Sequence, residues 1–378
     1  MKMRAAILTT CSAPQPFAKS KPLSIEEVEL DPPGEGEVLV KVGGAGLCHS
    51  DLSIINGDRP RPVPLVPGHE GAGEIVEVGA GVHDVKVGDH ICFTFNVSCG
   101  RCRRCLEGRP YICERAVAPR AAGQLLSGAK RLRRGGEPLD HASGVSCFAE
   151  YAVVDRGSVV VIDRSLPLDV AALFGCAVVT GVGAVVNTAR IEPGSTVAIV
   201  GLGGVGLSGL LGAVLGGAGR IIAIDLSDDK LGLARQLGAT DTVNARDADH
   251  VAQVRDMTNG GVDYAFDLAG TIKAMETAYG VTRWGGTTVS AGLSPFDADF
   301  TFKQSLLVTE EKTIKGSYMG SCVPVRDIPR FIALYQQGKL PVDRMVSQRV
   351  SLDELNEGFD RLQAVATVRQ LLVPHMKH

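Results

Sequence analysis

From Met1 to about Arg164, apolar and polar residues alternate in short runs that are closed by Pro, Gly or Asp. Glu37-Val38-Leu39-Val40-Lys41-Val42, Gly73-Glu74-Ile75-Val76-Glu77-Val78 and Tyr151-Ala152-Val153-Val154 are examples. A period of two sends successive side chains to opposite faces. These runs therefore predict half-buried strands of a mostly antiparallel barrel or sandwich, with few helices. From about Thr196 the rhythm changes. Strand candidates at Thr196 to Gly201, Arg220 to Asp225, Ala239 to Asn244, Val262 to Leu268, Thr287 to Gly292 and Thr313 to Met319 are separated by helical stretches such as Asp228 to Leu237 and Ile272 to Arg283. That alternation predicts a parallel sheet covered by helices on both faces. Beyond about Gly320, two helical stretches (Asp327 to Gln337, Leu352 to Gln363) and a last strand, Val368 to Val373, are expected to return to the first domain. The chain reads as an α/β protein: a β-rich domain over 1–177, a doubly wound parallel sheet over 178–318, and the return over 319–378.

Composition narrows the class. With 45% apolar and 21% charged residues the chain is ordinary globular material, and its 378 residues suffice for two cores. A net charge of −3 points neither to nucleic acid nor to an anionic membrane. The 46 glycines predict many tight turns and close backbone approaches. Pro193 to Gly219 carries no charge and is long enough to span a bilayer, yet its ten glycines and strand-like start place it in a globular core. Ala5 to Leu8 is too short an apolar run for a signal peptide, so a cytoplasmic location is expected. In that setting ten cysteines suggest metal or catalytic thiols rather than disulfides.

Gly201-Leu202-Gly203-Gly204-Val205-Gly206 has the form G-x-G-x-x-G. Alone the motif is weak, but here it follows the apolar run Val197 to Val200 and opens a helix. The next strand ends at Asp225, 225 − 206 = 19 residues beyond the last glycine. A carboxylate there accepts hydrogen bonds from an adenosine ribose and repels a 2′-phosphate, while the helix start receives a pyrophosphate. NAD is therefore expected over NADP. Cys99, Cys102, Cys105 and Cys113 form C-x2-C-x2-C-x7-C, which suits a closed, structural tetrathiolate zinc. The iron–sulfur run C-x2-C-x2-C-x3-C-P is the rival, and a last gap of seven followed by Glu114 disfavours it. Cys48, His69 and Cys176 are the types that make a catalytic zinc site with one open position, but their spacing does not show that they converge.

In their order along the chain, Cys48-His49-Ser50-Asp51, Gly68-His69-Glu70, the four-cysteine loop, Cys176, the glycine motif and Asp225 resemble the zinc-dependent medium-chain alcohol dehydrogenases. The similarity runs from about Lys2 to Val373, and the segment from Cys113 to Cys176 is similar to the longer form found in animal alcohol dehydrogenases and glutathione-dependent formaldehyde dehydrogenases. The resemblance implies a GroES-like catalytic domain, a Rossmann cofactor domain, NAD as cofactor, and two Zn²⁺ per chain, one catalytic and one structural. It implies Cys48, His69 and Cys176 as catalytic-zinc ligands, with Glu70 close behind the metal and Asp51 supporting from outside the ligand set. Asp225 and Lys230 would hold the adenosine ribose, and His49 and Arg369 the pyrophosphate. Thr180, Val205 and the backbone near Leu293, Ser317 and Met319 would line the nicotinamide, and Ser50 would take the hydroxyl proton. Two positions depart from relatives: Ser53 stands where a relay-ending histidine is common, and Val117 where glutathione-dependent enzymes carry an arginine.

The resemblance also implies a pocket lined by Phe95, Leu293 and Met319, and with Ser50 smaller than the threonine of some relatives it is expected to take apolar or aromatic primary alcohols and their aldehydes. A polyol or hydroxy-acid dehydrogenase, with Arg59 and Arg61 at the pocket mouth, and a non-catalytic NAD- and zinc-binding protein are the rival readings. Between Arg101 and Arg134 lie ten Lys/Arg against Glu107 and Glu114, a local balance of +8. Tyr111 is the one aromatic there, so base stacking has little support and no nucleic-acid partner is expected. Partners are a small alcohol or aldehyde and, by resemblance, further copies of the chain in a homodimer or homotetramer; no membrane is expected.

Overall fold

The structure, a computed structural model, describes residues 1–376 and divides into two compact units. The first contains Met1–Cys176, Val323–Ile332 and the residues from Val346 on. Its strands Lys2–Leu8, Leu23–Leu30, Leu132–Arg134, Glu137–His141 and Leu65–Val66 close into a barrel. A second sheet runs in the order Val159–Val161, His90–Phe93, Gly71–Val78, Glu37–Gly46, Arg369–Leu372, Val346–Val350, with Tyr151–Asp155 also paired to Glu37–Gly46. Glu37–Gly46 and Tyr151–Asp155, expected to be half-buried, are covered on both faces, because a second core takes the face expected to meet solvent. Val38, Val40, Val42, Ala152 and Val154 enter one, whereas Leu39 and Val153 enter the other. Leu352, Leu355, Phe359 and Leu372 pack into the first of these cores, which is why that part of the tail comes back.

The second unit contains Ala177–Cys322 and Ala333–Met345. Its parallel sheet has the order Asp241–Asn244, Arg220–Asp225, Thr196–Val200, Val262–Asp267, Thr282–Ser290, Thr313–Gly316. This is the 3-2-1-4-5-6 order of a doubly wound fold, with its reversal between Thr196–Val200 and Val262–Asp267. All six strand candidates are present, although the fifth begins at Thr282, directly after the helix Ile272–Val281.

The expected return of the tail needs correction. The tail 319–378 does not return as one piece, because 319–322 and Ala333–Met345 belong to the second unit. The reason is apolar: Leu340, Val342 and Met345 are fully buried, and the Met345 sulfur lies 3.9 Å from Ser208 Oγ on the helix Gly204–Leu215. The strand Val346–Val350 carries little sequence signal, since Val-Ser-Gln-Arg-Val is short and mostly polar and is ordered by parallel pairing with Arg369–Leu372. The uncharged stretch 193–219 becomes a buried strand and a glycine-rich helix, and no single helix among the described residues is long and apolar enough to cross a membrane.

Candidate active site and metal centres

Antiparallel register builds the first site. Ala45 lies opposite Gly71, so the chain leaving Glu37–Gly46 runs beside the chain entering Gly71–Val78, and Cys48 comes to lie near His69 and Glu70. Cys48 is extended and starts the helix His49–Ile55. One turn in, the buried Asp51 uses Oδ1 twice, accepting from the Gly68 amide at 3.2 Å and meeting His69 Nδ1 at 3.1 Å. A carboxylate only accepts, so His69 carries hydrogen on Nδ1, which leaves Nε2 as the nitrogen that could ligate a metal. Cys176 follows the turn Leu173–Gly175; a Cβ on Gly175 would stand 2.5 Å from the Phe93 carbonyl, so glycine sets how close that turn comes. One donor atom each from Cys48, His69, Glu70 and Cys176 lies within 4.8 Å of the others, and all four residues are buried.

Charge is distributed unevenly over this cluster. Cys176 hydrogen-bonds to Cys48 and holds its thiol well below the ordinary range, against the effect of burial. Burial works against a charge on His69, yet Asp51 and Cys48 outweigh it and make the ring strongly basic, with a proton to release when a metal binds. Burial pushes the Glu70 carboxyl up to about 7, opposed by the Arg369 guanidinium beside it. Arg369, expected at the pyrophosphate, is itself buried and is committed to Glu70 and, at 3.3 Å, to the Leu47 carbonyl. Gly46 makes room for this pair: a Cβ there would stand 2.7 Å from both Arg369 Nη2 and Glu70 Oε1. Phe95 meets His69 edge-on with ring centroids 5.8 Å apart. The Ser53 hydroxyl donates to the His49 carbonyl at 2.8 Å, and His49 is exposed.

Cys99, Cys102, Cys105 and Cys113 form the second cluster, with all four sulfurs within 4.8 Å of one another. The Cys102 sulfur is 3.5 Å from that of Cys105 and 3.9 Å from that of Cys113. A tetrahedral zinc with bonds of about 2.3 Å sets its thiolates about 3.8 Å apart, so the residues fit that ion. They stand too close together to enclose a four-iron cube. The Cys102 and Cys99 amides point at the sulfurs of Cys99 and Cys113, at 3.3 and 3.4 Å, which favours thiolates. Much of the basic tract around this lobe is spent internally: Arg103 and Arg104 on Glu107, Lys130 on Asp140, Arg131 on the buried Glu37, Arg133 on Asp31 and Arg134 on Glu26.

In the second unit the glycine motif follows the strand Thr196–Val200 directly. Gly201 has φ +88°, and a Cβ on Gly206 would stand 1.7 Å from the Gly201 carbonyl, so neither accepts a side chain. A Cβ on Gly203 would meet nothing within 4 Å, which leaves open space over the helix start, as a phosphate requires. Asp225 is held by the Leu202 amide at 2.6 Å and the Ser227 amide at 2.9 Å, and the buried Lys230 lies near it. Thr180, Ser317 and Met319 are buried and Leu293 is half exposed. Sequence reading missed Asp267. It is buried at the end of Val262–Asp267, accepts from the Ala269 and Gly270 amides at 3.2 and 3.3 Å, and accepts from Ser290 Oγ at 2.8 Å. An acidic residue closing an apolar strand, the signal used for Asp225, also marks it.

Residues 34–164 match the alcohol dehydrogenase GroES-like domain, and residues 204–337 match the zinc-binding dehydrogenase family. Among solved structures, an alcohol dehydrogenase zinc-binding domain protein from Burkholderia ambifaria is 34% identical with a TM-score of 0.92, over 99% of this chain and 100% of that one. Benzyl alcohol dehydrogenase from Acinetobacter calcoaceticus is 32% identical with a TM-score of 0.91, over 99% of each chain. A zinc-binding dehydrogenase from Sinorhizobium meliloti, bound to NADP, is 29% identical with a TM-score of 0.80, over 99% of this chain and 100% of that one.

Proposed function

The chain belongs to the zinc-dependent medium-chain alcohol dehydrogenases and is an oxidoreductase of that type, and from this premise we propose that it interconverts apolar or aromatic primary alcohols and their aldehydes with NAD. The observation that carries the reading is the buried cluster of Cys48, His69 and Cys176, with Asp51 behind the histidine and Phe95 edge-on to it. When bound, zinc supplies Lewis acidity to the substrate oxygen and the nicotinamide gives or takes hydride. Two thiolates, from Cys48 and Cys176, and the neutral imidazole of His69 would balance a divalent ion held there, so the ligand set would not oppose negative charge on a substrate oxygen. Asp51 keeps His69 oriented, and the Arg369 guanidinium draws on Glu70 Oε1 behind the ligands. Ser50, in the first turn of the helix that Cys48 begins, receives the hydroxyl proton in this reading.

Phe95 supports an apolar or aromatic substrate, as does similarity to a benzyl alcohol dehydrogenase. The ion pairs that consume the basic tract speak against an acidic one. Asp225 supports NAD, and the NADP-bound relative makes cofactor choice the point to test. In this reading the enzyme is a cytoplasmic homodimer or homotetramer with two zinc ions per chain. The test is kcat/KM for benzyl alcohol, hexanol, ethanol, sorbitol and an ω-hydroxy acid, with NAD and NADP. Benzyl alcohol or hexanol with NAD should lead, and Asp225→Ala should narrow the NAD preference. Leadership by ethanol, sorbitol or the hydroxy acid refutes the apolar pocket, and a wild-type preference for NADP refutes the role of Asp225.

A further inference from the structure

In the second unit the helix Ala177–Gly183 passes into π-type turns over Ala184–Ala189. Such turns are uncommon and gather at functional sites. The Thr188 hydroxyl lies there within 2.8 Å of two others, Ser317 Oγ and Ser321 Oγ. Its neighbour Asn187 donates to Cys322 Sγ at 3.3 Å. Between these anchors the backbone is left-handed for three residues running, with φ of 53° at Met319, 62° at Gly320 and 51° at Ser321. Methionine and serine seldom adopt that conformation, and it persists only where the surroundings impose it. Gly320 allows the close approach: a Cβ there would stand 2.0 Å from the Val179 carbonyl and 2.7 Å from Gly183 Cα.

The place of this turn in the sheet says what it faces. It follows Thr313–Gly316 at the carboxyl ends of the strands, where the Ser317 amide donates to the Ser290 carbonyl at 2.8 Å. Ligands of doubly wound sheets lie along that edge. A dinucleotide with its phosphates at Gly201–Gly206 and its adenosine ribose at Asp225 has used the side of the sheet toward Arg220–Asp225. Its other half must lie toward Val262–Asp267, Thr282–Ser290 and Thr313–Gly316, and so toward residues 317–321. The nicotinamide carboxamide needs one acceptor and one donor, which the peptide groups of a fixed turn supply.

We propose that Thr188 is a positioning residue for the nicotinamide half of the cofactor, its one hydroxyl holding both ends of the turn 317–321, which is left-handed over Met319–Ser321. This rests on the cofactor reading above. Thr188→Val keeps the shape and removes the hydroxyl. Dissociation constants are measured by calorimetry for the reduced cofactor that the wild type prefers. They are compared with those for the matching fragment without nicotinamide, ADP-ribose or its 2′-phosphate. The variant should bind the full cofactor about tenfold more weakly and the fragment within about twofold of wild type, with Thr188→Ser restoring the difference. Ser321→Ala removes one of the two bonds and should give a smaller loss of the same kind, which keeps the test open if Thr188→Val does not fold. Equal weakening of both ligands, or of neither, overturns the proposal. Wild-type protein that binds neither ligand overturns the cofactor reading and the proposal together.

Discussion

Asp51→Asn isolates how much the carboxylate behind His69 contributes to metal affinity. The substituted side chain keeps an oxygen for His69 Nδ1–H, which Asp51 meets at 3.1 Å, but the bond is no longer charge-assisted. Charged hydrogen bonds contribute about 1.5–3 kcal/mol and neutral ones about 0.5–1.5, so about 1–1.5 kcal/mol is lost at the ligand. At 1.4 kcal/mol per decade that is about a tenfold loss of zinc affinity, at the low end of what such outer partners contribute. A second cost is separate. Asp51 Oδ2 is buried with no partner among the described residues, and the amide nitrogen placed there becomes an unsatisfied donor. Because the oxygen it replaces is already without a partner, the net change in folding stability should stay below about 1 kcal/mol whether or not metal is present. Zinc transfer to a chromophoric chelator measures the first effect and urea unfolding the second. Wild-type protein should release its two ions in two steps, and Asp51→Asn should shift one step by about tenfold and leave the other in place. An unshifted pair of steps, or a shift confined to the four-cysteine site, refutes the carboxylate–histidine–metal arrangement.

Cys105→Ser should lose one zinc with a fall in thermal stability, whereas Cys176→Ser should lose the other with a fall in activity, because a closed thiolate site contributes folding free energy and an open one serves chemistry. Metal analysis that finds iron, or one zinc in well-folded wild type, refutes this. A pH prediction comes from His141, which is buried, accepts from the Arg131 amide at 3.1 Å through Nε2, and is pushed by burial down to about 4 from 6.5, with Lys130 and Arg131 adding to the fall. Its folded pKa lies below the unfolded one, so the unfolded chain takes up a proton first as pH falls. About 3 kcal/mol present above pH 6.5 is therefore lost between 6.5 and about 4. Urea unfolding at pH 7, 5.5 and 4.5 should show a shallower decline for His141→Gln, and equal slopes would show that His141 does not contribute.

What the sequence determined by itself is local. The four cysteines occupy one short loop, and the glycine motif and Asp225 occupy one strand–helix–strand unit, so spacing alone reports their geometry. Period-two alternation reported the strands, because a strand's faces follow from the backbone pleat, but not that Glu37–Gly46 and Tyr151–Asp155 are covered on both faces by two cores. Resemblance, not spacing, was needed to group Cys48, His69 and Cys176, which are far apart in the chain. Only the tertiary structure brought them together, through the register that sets Ala45 opposite Gly71 and the close approach that Gly175 permits. The same holds for Arg369, which pairs with Glu70 across almost the whole sequence, and for Asp267 and Thr188, whose partners come from other strands and turns. Val346–Val350 is a strand only because Arg369–Leu372 lies beside it. A pattern records which face of an element is buried; which residue of a distant segment meets that face depends on register and close packing, and these exist only once the chain has folded.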